Sequence, residues 1–325
     1  MILLNAVLGL LCALLTLGVM LQVGMLANLF VIREQPETGE ATALQQDPAG
    51  VAESVQREDG TRIQTWHRGS GRPVLLLHDL GLSAAAMGPL WEVLAAQGYR
   101  LIAMDLRAHG QSTGHQLDLD TLTADLAAVV RHYDLQDALI VGHSLGALIA
   151  MRYLIQVPEA QSRIAGLLSV AGFAGGQLRG LPGHSWERKL LQWGILSRLL
   201  RHRLYAWSYA TPLFGHRINA IWVRAYLELL LSRPLRRLHP LLHELARTDM
   251  YPELSRIKTP VVVTCSRQDQ RTRPLHAVRL ARYLPNSQLH WIDDGSGNML
   301  VWECPQRLAN LVRSLDRERE EALSA

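Results

Sequence analysis

The sequence predicts an α/β fold in which a mostly parallel sheet is flanked by helices. Short runs that are apolar at every position, such as Pro73–Leu77, are typical of strands covered on both faces. Longer amphipathic segments alternate with these runs, as expected when helices connect parallel strands. The 325 residues are 48% apolar, with 25 glycines and 14 prolines. This composition supports a substantial core and excludes collagen-like and disordered chains.

The later elements continue this alternation. Further strands are predicted at 101–104, 138–141, 165–170, 260–264 and 288–293. Helices are predicted near 84–97, 121–133, 145–156, 273–284 and 304–320. Ligands bind beyond the carboxyl ends of the strands in open parallel sheets. We therefore expect the chemistry in the loops at about 78–82, 105–112, 142–146, 266–270 and 293–299.

The N-terminal segment has no charged side chain before Arg33. It exceeds the roughly 20 residues needed to cross a bilayer, and it lacks the basic start of an export signal. Residues 1–32 are therefore interpreted as a single-pass membrane anchor, with its apolar span at about 2–25 and a cleaved signal as the alternative. One nearby arginine leaves the side of the membrane open. Residues 33–60 are predicted to be a linker.

A single large domain is predicted at 61–325, with an inserted helical cap at about 174–250. The cap contains helical patterns but no continuous apolar strand, and its position after a strand predicts that it covers the site. Basic residues such as Arg198, Arg201 and Arg236 lie beside leucines. Such a pattern is typical of a helix lying on anionic lipid, or of a solvated helix whose apolar side packs inward.

The strongest motif is Gly142-His143-Ser144-Leu145-Gly146, between a predicted strand and a predicted helix. The Gly-x-Ser-x-Gly pattern in this context predicts a nucleophile elbow. The glycines permit a sharp turn that presents Ser144 above the sheet, and the Leu145 N–H is predicted to stabilise an oxyanion.

With its neighbouring motifs, the chain from about 61 to 315 resembles the α/β-hydrolase family. His78-Asp79-Leu80-Gly81 resembles the family's His-Gly-x-Gly loop, which implies that the Leu80 N–H completes the oxyanion hole. The segment 105–112 resembles Asp-x-Arg-Gly-His-Gly-x-Ser. Ser266-Arg267-Gln268-Asp269 resembles the turn that supplies the triad acid, which would be Asp269. The resemblance implies a serine nucleophile and a carboxylic ester substrate, as in esterases and lipases.

Two residues depart from the family pattern. Asn298 occupies the position of the catalytic histidine, in a frame that keeps Gly297, Glu303 and Pro305. Asparagine cannot act as a general base at neutral pH. Asp79 replaces a glycine beside the Leu80 donor, and a carboxylate pointing there would oppose a developing oxyanion.

Three expectations follow from these two departures. The Asn298 amide is expected to donate to Asp269 and its carbonyl to accept from Ser144. If Asp79 points into the oxyanion site, restoring a histidine at 298 alone should achieve little. Other histidines are candidates for a substitute base: His78, His143, His276 and His290, and His184, His202, His216, His239 and His243 in the cap.

The predicted function is a membrane-anchored serine hydrolase that cuts an ester or related acyl bond in a small apolar or lipid-like substrate. The alternative is a catalytically silent binding or scaffold protein of the same fold, or an inactivated variant, because of Asn298. The sequence has no phosphate-binding glycine loop and no His or Cys cluster with metal spacing, so no cofactor or metal is expected. No motif indicates nucleic-acid binding.

Overall fold

In a computed structural model, the chain forms an eight-stranded sheet with the strand order β1-β2-β4-β3-β5-β6-β7-β8. The structure describes residues 15, 16, 18, 19, 22, 44–177, 184–216, 218 and 220–324. The strands are β1 (Val51–Gln56), β2 (Arg62–Arg68), β3 (Pro73–Leu77), β4 (Arg100–Met104), β5 (Ala138–His143), β6 (Ile164–Val170), β7 (Val261–Ser266) and β8 (Ser287–Ile292).

Helices connect the strands and form the cap. They are α1 (Gly88–Ala96), α2 (Leu119–His132), α3 (Leu145–Gln156), α4 (Ala160–Arg163), α5 (His184–Gln192), α6 (Ile195–Leu199), α7 (Arg203–Ala210), α8 (Ala220–Leu231), α9 (His239–Leu245), α10 (Leu275–Tyr283), α11 (Leu300–Glu303) and α12 (Pro305–Ser324). Among the helices of the main domain, α1 packs against α12 and α2 packs against α3.

The predicted parallel sheet with flanking helices is confirmed. Strands β4, β3, β5, β6, β7 and β8 pair in parallel. Every residue of β5 and β6 is buried, which explains why all of them except His143 and Ser169 are apolar. Their carboxyl ends lie at one edge of the sheet, where β5 leads into the Ser144 motif.

One strand lies in the segment that was predicted to be a linker. Within the predicted range 33–60, β1 pairs antiparallel with β2, so the sheet begins before residue 61. Of the six residues in β1, only Val55 is buried. An edge strand that is mostly exposed has no continuous apolar run, and this strand was therefore missed.

The predicted membrane span at 2–25 lies almost wholly outside the described residues. Over the part of the chain that the structure describes, no helix combines the length and apolar character needed to cross a membrane.

The cap extends from the carboxyl end of β6 and returns before β7. Gly175 and Asp249 form an antiparallel bridge that brings the two ends of this insertion together. The helices α5 to α9 lie between these residues. Buried leucines from these helices, such as Leu196, Leu230 and Leu241, join the main hydrophobic core. The cap is therefore fixed over the carboxyl ends of the strands.

Candidate active site

Ser144 lies in a strained turn between β5 and α3. Its backbone angles are φ 51° and ψ −105°, outside the conformations that a serine ordinarily adopts. A Cβ at Gly146 would lie 2.4 Å from the Leu77 carbonyl oxygen, and one at Gly142 would lie 2.5 Å from the Ala147 nitrogen. Both positions therefore require glycine, and the local structure has the form of a nucleophile elbow.

Asp269 and Asn298 are brought together near the ends of β7 and β8. The Asn298 Nδ2 donates to Asp269 Oδ2 at 2.9 Å. The Asp269 Oδ1 accepts from the N–H groups of Arg271 and Thr272, at 2.8 and 2.7 Å. Burial raises the pKa of Asp269 to about 7, against these stabilising hydrogen bonds.

The second contact expected of Asn298 is absent. Its Oδ1 and the Ser144 Oγ are both buried, and neither has a hydrogen-bond partner among the described residues. Asn298 reproduces the contact of a triad base with its acid, but not the contact of that base with the nucleophile. Within the described residues, Ser144 therefore has no group bonded to it that would take its proton.

None of the candidate substitute histidines whose side chains the structure describes is hydrogen-bonded to Ser144. The His143 Nε2 donates to the backbone carbonyl of Asn298 at 3.1 Å. The His78 Nε2 accepts from Leu106 N–H, so its Nδ1 donates to the Asp79 carbonyl. His276 is bonded to the Tyr251 hydroxyl. His290 and the described cap histidines have no hydrogen bond to Ser144 in the described structure, and the His184 side chain lies outside it.

Asp79 occupies the predicted oxyanion site. Its Oδ1 accepts from the Leu80 N–H at 2.7 Å and from the Leu145 N–H at 3.1 Å. These are the two donors predicted from the sequence, and they converge on one oxygen as they would on a tetrahedral intermediate. Here that oxygen belongs to the protein. An incoming substrate carbonyl would have to displace a bound carboxylate.

A cavity of about 40 Å³ lies between this site and the cap. Asp79, Leu80 and Leu145 form part of its wall, whereas Ser144 is 1% exposed and does not line it. The remaining wall is mainly apolar and comes largely from cap leucines: Leu191, Leu196, Leu230, Leu235, Leu238, Leu242 and Leu245. The cavity has room for a few water molecules at about 10–15 Å³ each. A ligand larger than this requires leucine side chains to move.

The polar part of the wall is an ion pair between the cap and the main domain. The Arg271 Nη2 lies 3.4 Å from Glu187 Oε1, and the Tyr209 hydroxyl donates to the same oxygen at 2.9 Å. Tyr226 lines the cavity as well. None of these residues belongs to a sequence motif, and sequence reasoning missed them.

Two further residues, both part of the sequence motifs, hold the loops of the site through contacts that the sequence did not predict. Ser266, at a family glycine position, donates to the Ser296 carbonyl and accepts from Gln268 N–H. Glu303 accepts from the N–H groups of Gly215 and Gly297, at 2.9 and 2.8 Å. The family pattern contains Glu303, so its retention was the available signal. Within the described ranges, no group of three or more His, Cys, Asp or Glu residues is arranged to hold a metal ion.

The segment 105–112 supports the site without contributing to its chemistry. The Asp105 carboxylate accepts from Ala84 N–H at 2.7 Å and from Gln111 N–H at 2.6 Å. The Arg107 guanidinium forms two bonds to the buried Asp125 carboxylate, at 2.7 and 2.8 Å. The Asp105 bond to Ala84 joins this segment to the residues that follow the Asp79 turn, and the Arg107 bonds join it to α2.

The chain is similar to known proteins over most of the described sheet. The model of the Alpha/beta hydrolase family matches residues 74–311. A non-heme haloperoxidase of Rhodococcus erythropolis is 43% identical over 102 residues, which cover 31% of this chain and 37% of that protein. An AB hydrolase superfamily protein of Bacillus subtilis is 27% identical over 263 residues, which cover 79% of this chain and 96% of that protein.

The fold is also similar to a solved esterase of Exiguobacterium antarcticum. The TM-score is 0.72 at 20% sequence identity, with 82% of this chain and 100% of the esterase covered. At this identity the similarity concerns the fold alone.

Proposed function

This chain belongs to the α/β-hydrolase family, and from that premise we propose that it binds a small apolar ligand under its cap without hydrolysing esters through Ser144. The observation that carries the proposal is the Asp79 Oδ1, which accepts from both Leu80 and Leu145 N–H. A developing oxyanion needs these donors, and a carboxylate already bound to them repels it.

The absence of a base at Ser144 supports the same proposal. Asn298 donates its amide to Asp269 and cannot accept a proton from the serine. In a serine protease, loss of the triad histidine lowers turnover by about a millionfold. Two independent defects, at the base and at the oxyanion site, therefore act on the same reaction. The mainly apolar cavity remains, and binding of a small ligand requires only that cap leucines move to admit it.

We propose that the protein works at a membrane surface. The uncharged segment at about 2–25 supplies the anchor in this proposal. The cap presents Trp193, which is 61% exposed and lies beside the exposed side chains of Arg198 and Arg201, and it also presents Tyr205, which is 51% exposed. Exposed aromatic rings beside arginines suit contact with anionic lipid headgroups. An apolar or lipid-like ligand would then reach the cap from the bilayer.

Ester hydrolysis is the second candidate function. The strained elbow at Ser144, with φ 51°, and the retained Asp269 contact are the observations that favour it. Hydrolysis requires Asp79 to leave the oxyanion donors when substrate enters, and a proton acceptor to reach Ser144.

The test is the reactivity of Ser144 in the full chain. We expect no labelling by a fluorophosphonate probe, and no hydrolysis of short p-nitrophenyl esters above the rate of Ser144→Ala. Butan-1-ol, detected by saturation-transfer NMR, should bind the wild-type protein. It should not bind Leu230→Phe, which fills the cavity. Labelling of Ser144 with ester turnover that Ser144→Ala abolishes would establish the hydrolase instead.

A further inference from the structure

The Asp79 carboxylate has one oxygen available to a ligand. Its Oδ1 holds the Leu80 and Leu145 N–H groups. Its Oδ2 has no hydrogen-bond partner among the residues described, and Asp79 lines the cavity. The two N–H groups fix the orientation of the carboxylate, so a group bound to Oδ2 meets a preorganised acceptor.

Tyr226 supplies a second polar atom in the cavity wall. It is 5% exposed, and across the described chain nothing is hydrogen-bonded to its hydroxyl. Burial raises the pKa of Tyr226 well above its ordinary value, with further contributions from Tyr209 and from the Asp79 charge. The phenol is therefore neutral, and its oxygen can accept a hydrogen bond. A hydroxyl without a protein partner in an apolar wall can be satisfied only by a ligand or water in the cavity.

The charges of the cavity select the sign of a ligand. Arg271 is paired with Glu187, whose Oε1 also accepts from the Tyr209 hydroxyl. The formal charges of Arg271 and Glu187 cancel, and Asp79 adds one negative charge. A carboxylate ligand would meet the Asp79 charge in a desolvated space, where repulsion is strong. A cationic ligand would be attracted.

Given the proposed binding function, we infer that the ligand is a primary amine on a short apolar chain, with its ammonium group bound by Asp79 Oδ2 and the Tyr226 hydroxyl. The ammonium group has three donors, and these two acceptors have no other partner described. The chain of the amine would lie against the cap leucines. The cavity of about 40 Å³ favours a short chain.

Three matched probes of the full-length protein test this inference: butylamine, butan-1-ol and butyrate, measured by saturation-transfer NMR titration at pH 7. We expect butylamine to bind at least tenfold more tightly than butan-1-ol, and butyrate to bind most weakly. In Asp79→Asn, the preference for the amine should fall to within about twofold of the alcohol. Tyr226→Phe should weaken butylamine severalfold and leave butan-1-ol unchanged.

Glu228→Gln is the control for charge. Glu228 lies on α8, as Tyr226 does, but its side chain is exposed and outside this cavity. This variant should keep the wild-type preference for butylamine. Equal binding of the three probes, a preference for butyrate, or an amine preference that survives Asp79→Asn would overturn the inference and leave the binding function standing. If none of the three probes binds, the proposed binding function itself fails.

Discussion

The N–H of Leu145, the first residue of helix α3, donates to the Asp79 Oδ1 at 3.1 Å. This bond joins the amino terminus of the helix to the loop after β3, and it places a negative charge where the helix dipole favours one. The carboxylate is therefore stabilised in the position that a reaction intermediate would need. This hydrogen bond therefore stabilises the Asp79 carboxylate and also blocks the oxyanion site.

Restoring hydrolysis should require two substitutions. Asn298→His alone returns a base, but Asp79 still holds the oxyanion donors, so ester turnover should remain near background. Asp79→Gly with Asn298→His should raise turnover by about a thousandfold, since base catalysis contributes roughly 10²–10⁴. The rate of p-nitrophenyl butyrate hydrolysis measures this turnover, and fluorophosphonate labelling measures the reactivity of Ser144.

The control for the double variant is Ser144→Ala in the same background, which should abolish the gain. Full activity in Asn298→His alone would contradict the prediction and mean that Asp79 moves aside when substrate enters. No activity in the double variant would mean that the restored base and the freed oxyanion donors do not suffice for hydrolysis.

The buried ion pair of Arg107 and Asp125 should contribute strongly to the free energy of unfolding. Their side chains are 3% and 0% exposed, and Arg57 also donates to Asp125 at 2.9 Å. Asp125→Ala leaves both guanidinium groups without this partner, and we expect the free energy of unfolding to fall by about 3–5 kcal/mol. Urea denaturation measures the change.

The exposed pair of Arg131 and Glu159 is the comparison. These side chains are 52% and 41% exposed, at a distance of 3.4 Å. Glu159→Ala should lower the free energy of unfolding by less than about 1 kcal/mol, because solvent screens the pair. Equal effects of Asp125→Ala and Glu159→Ala would contradict the assigned difference in burial.

The close packing of the elbow gives a prediction about two glycines. A methyl group at Gly146 would lie 2.4 Å from the backbone oxygen of Leu77, whereas at Gly88 nothing lies within 4 Å. Gly146→Ala should lower the free energy of unfolding by about 2–3 kcal/mol. Gly88→Ala, in a helical conformation, should be neutral or raise it by up to ~1 kcal/mol. Thermal unfolding distinguishes the two, and a Gly146→Ala variant as stable as the wild-type protein would mean that β3 and α3 can separate.

The sequence predicted the parts of this fold whose determinants are local. The apolar runs located β3 to β7, and the motif around Ser144 located the elbow. The direction of the Asp79 side chain was not predictable, because it depends on the N–H of Leu145, a residue far along the chain. The sequence of β1 has no continuous apolar run, since most of its residues are exposed. Tyr226 and Glu187 meet the site only because the cap folds over it.

The pKa of Asp269 predicts a dependence of stability on pH. Burial raises this pKa from 3.8 to about 7, so between these values the folded state binds more protons than the unfolded state. The free energy of unfolding should therefore fall as the pH rises from about 4 to 7. Asp269→Asn should reduce that slope. It should not abolish it, because burial also raises the pKa of Asp105 to about 7.

Urea denaturation at several pH values between 4 and 7 measures the slope. Glu58→Gln removes an exposed carboxylate and serves as the control. Because Asp269→Asn also alters hydrogen bonds, the comparison concerns the slope and not the absolute stability. A slope in Asp269→Asn equal to that of the wild-type protein would contradict the prediction.

The Glu303 carboxylate should couple the cap to the loop that carries Asn298. Its two oxygens accept separately from Gly215 N–H, at the base of the cap, and from Gly297 N–H. Glu303→Gln retains one acceptor oxygen and should lower the free energy of unfolding by ~1.5–3 kcal/mol, the usual value for a hydrogen bond to a charged group. Glu303→Ala loses both bonds and should cost more. Amide hydrogen exchange should be faster at both Gly215 and Gly297 in Glu303→Ala, and unchanged in the exposed control Gln306→Ala. If exchange at the two glycines stayed slow in Glu303→Ala, other contacts, such as the 2.7 Å bond from Asn298 N–H to the Leu213 carbonyl, would be sufficient to hold the cap to the loop.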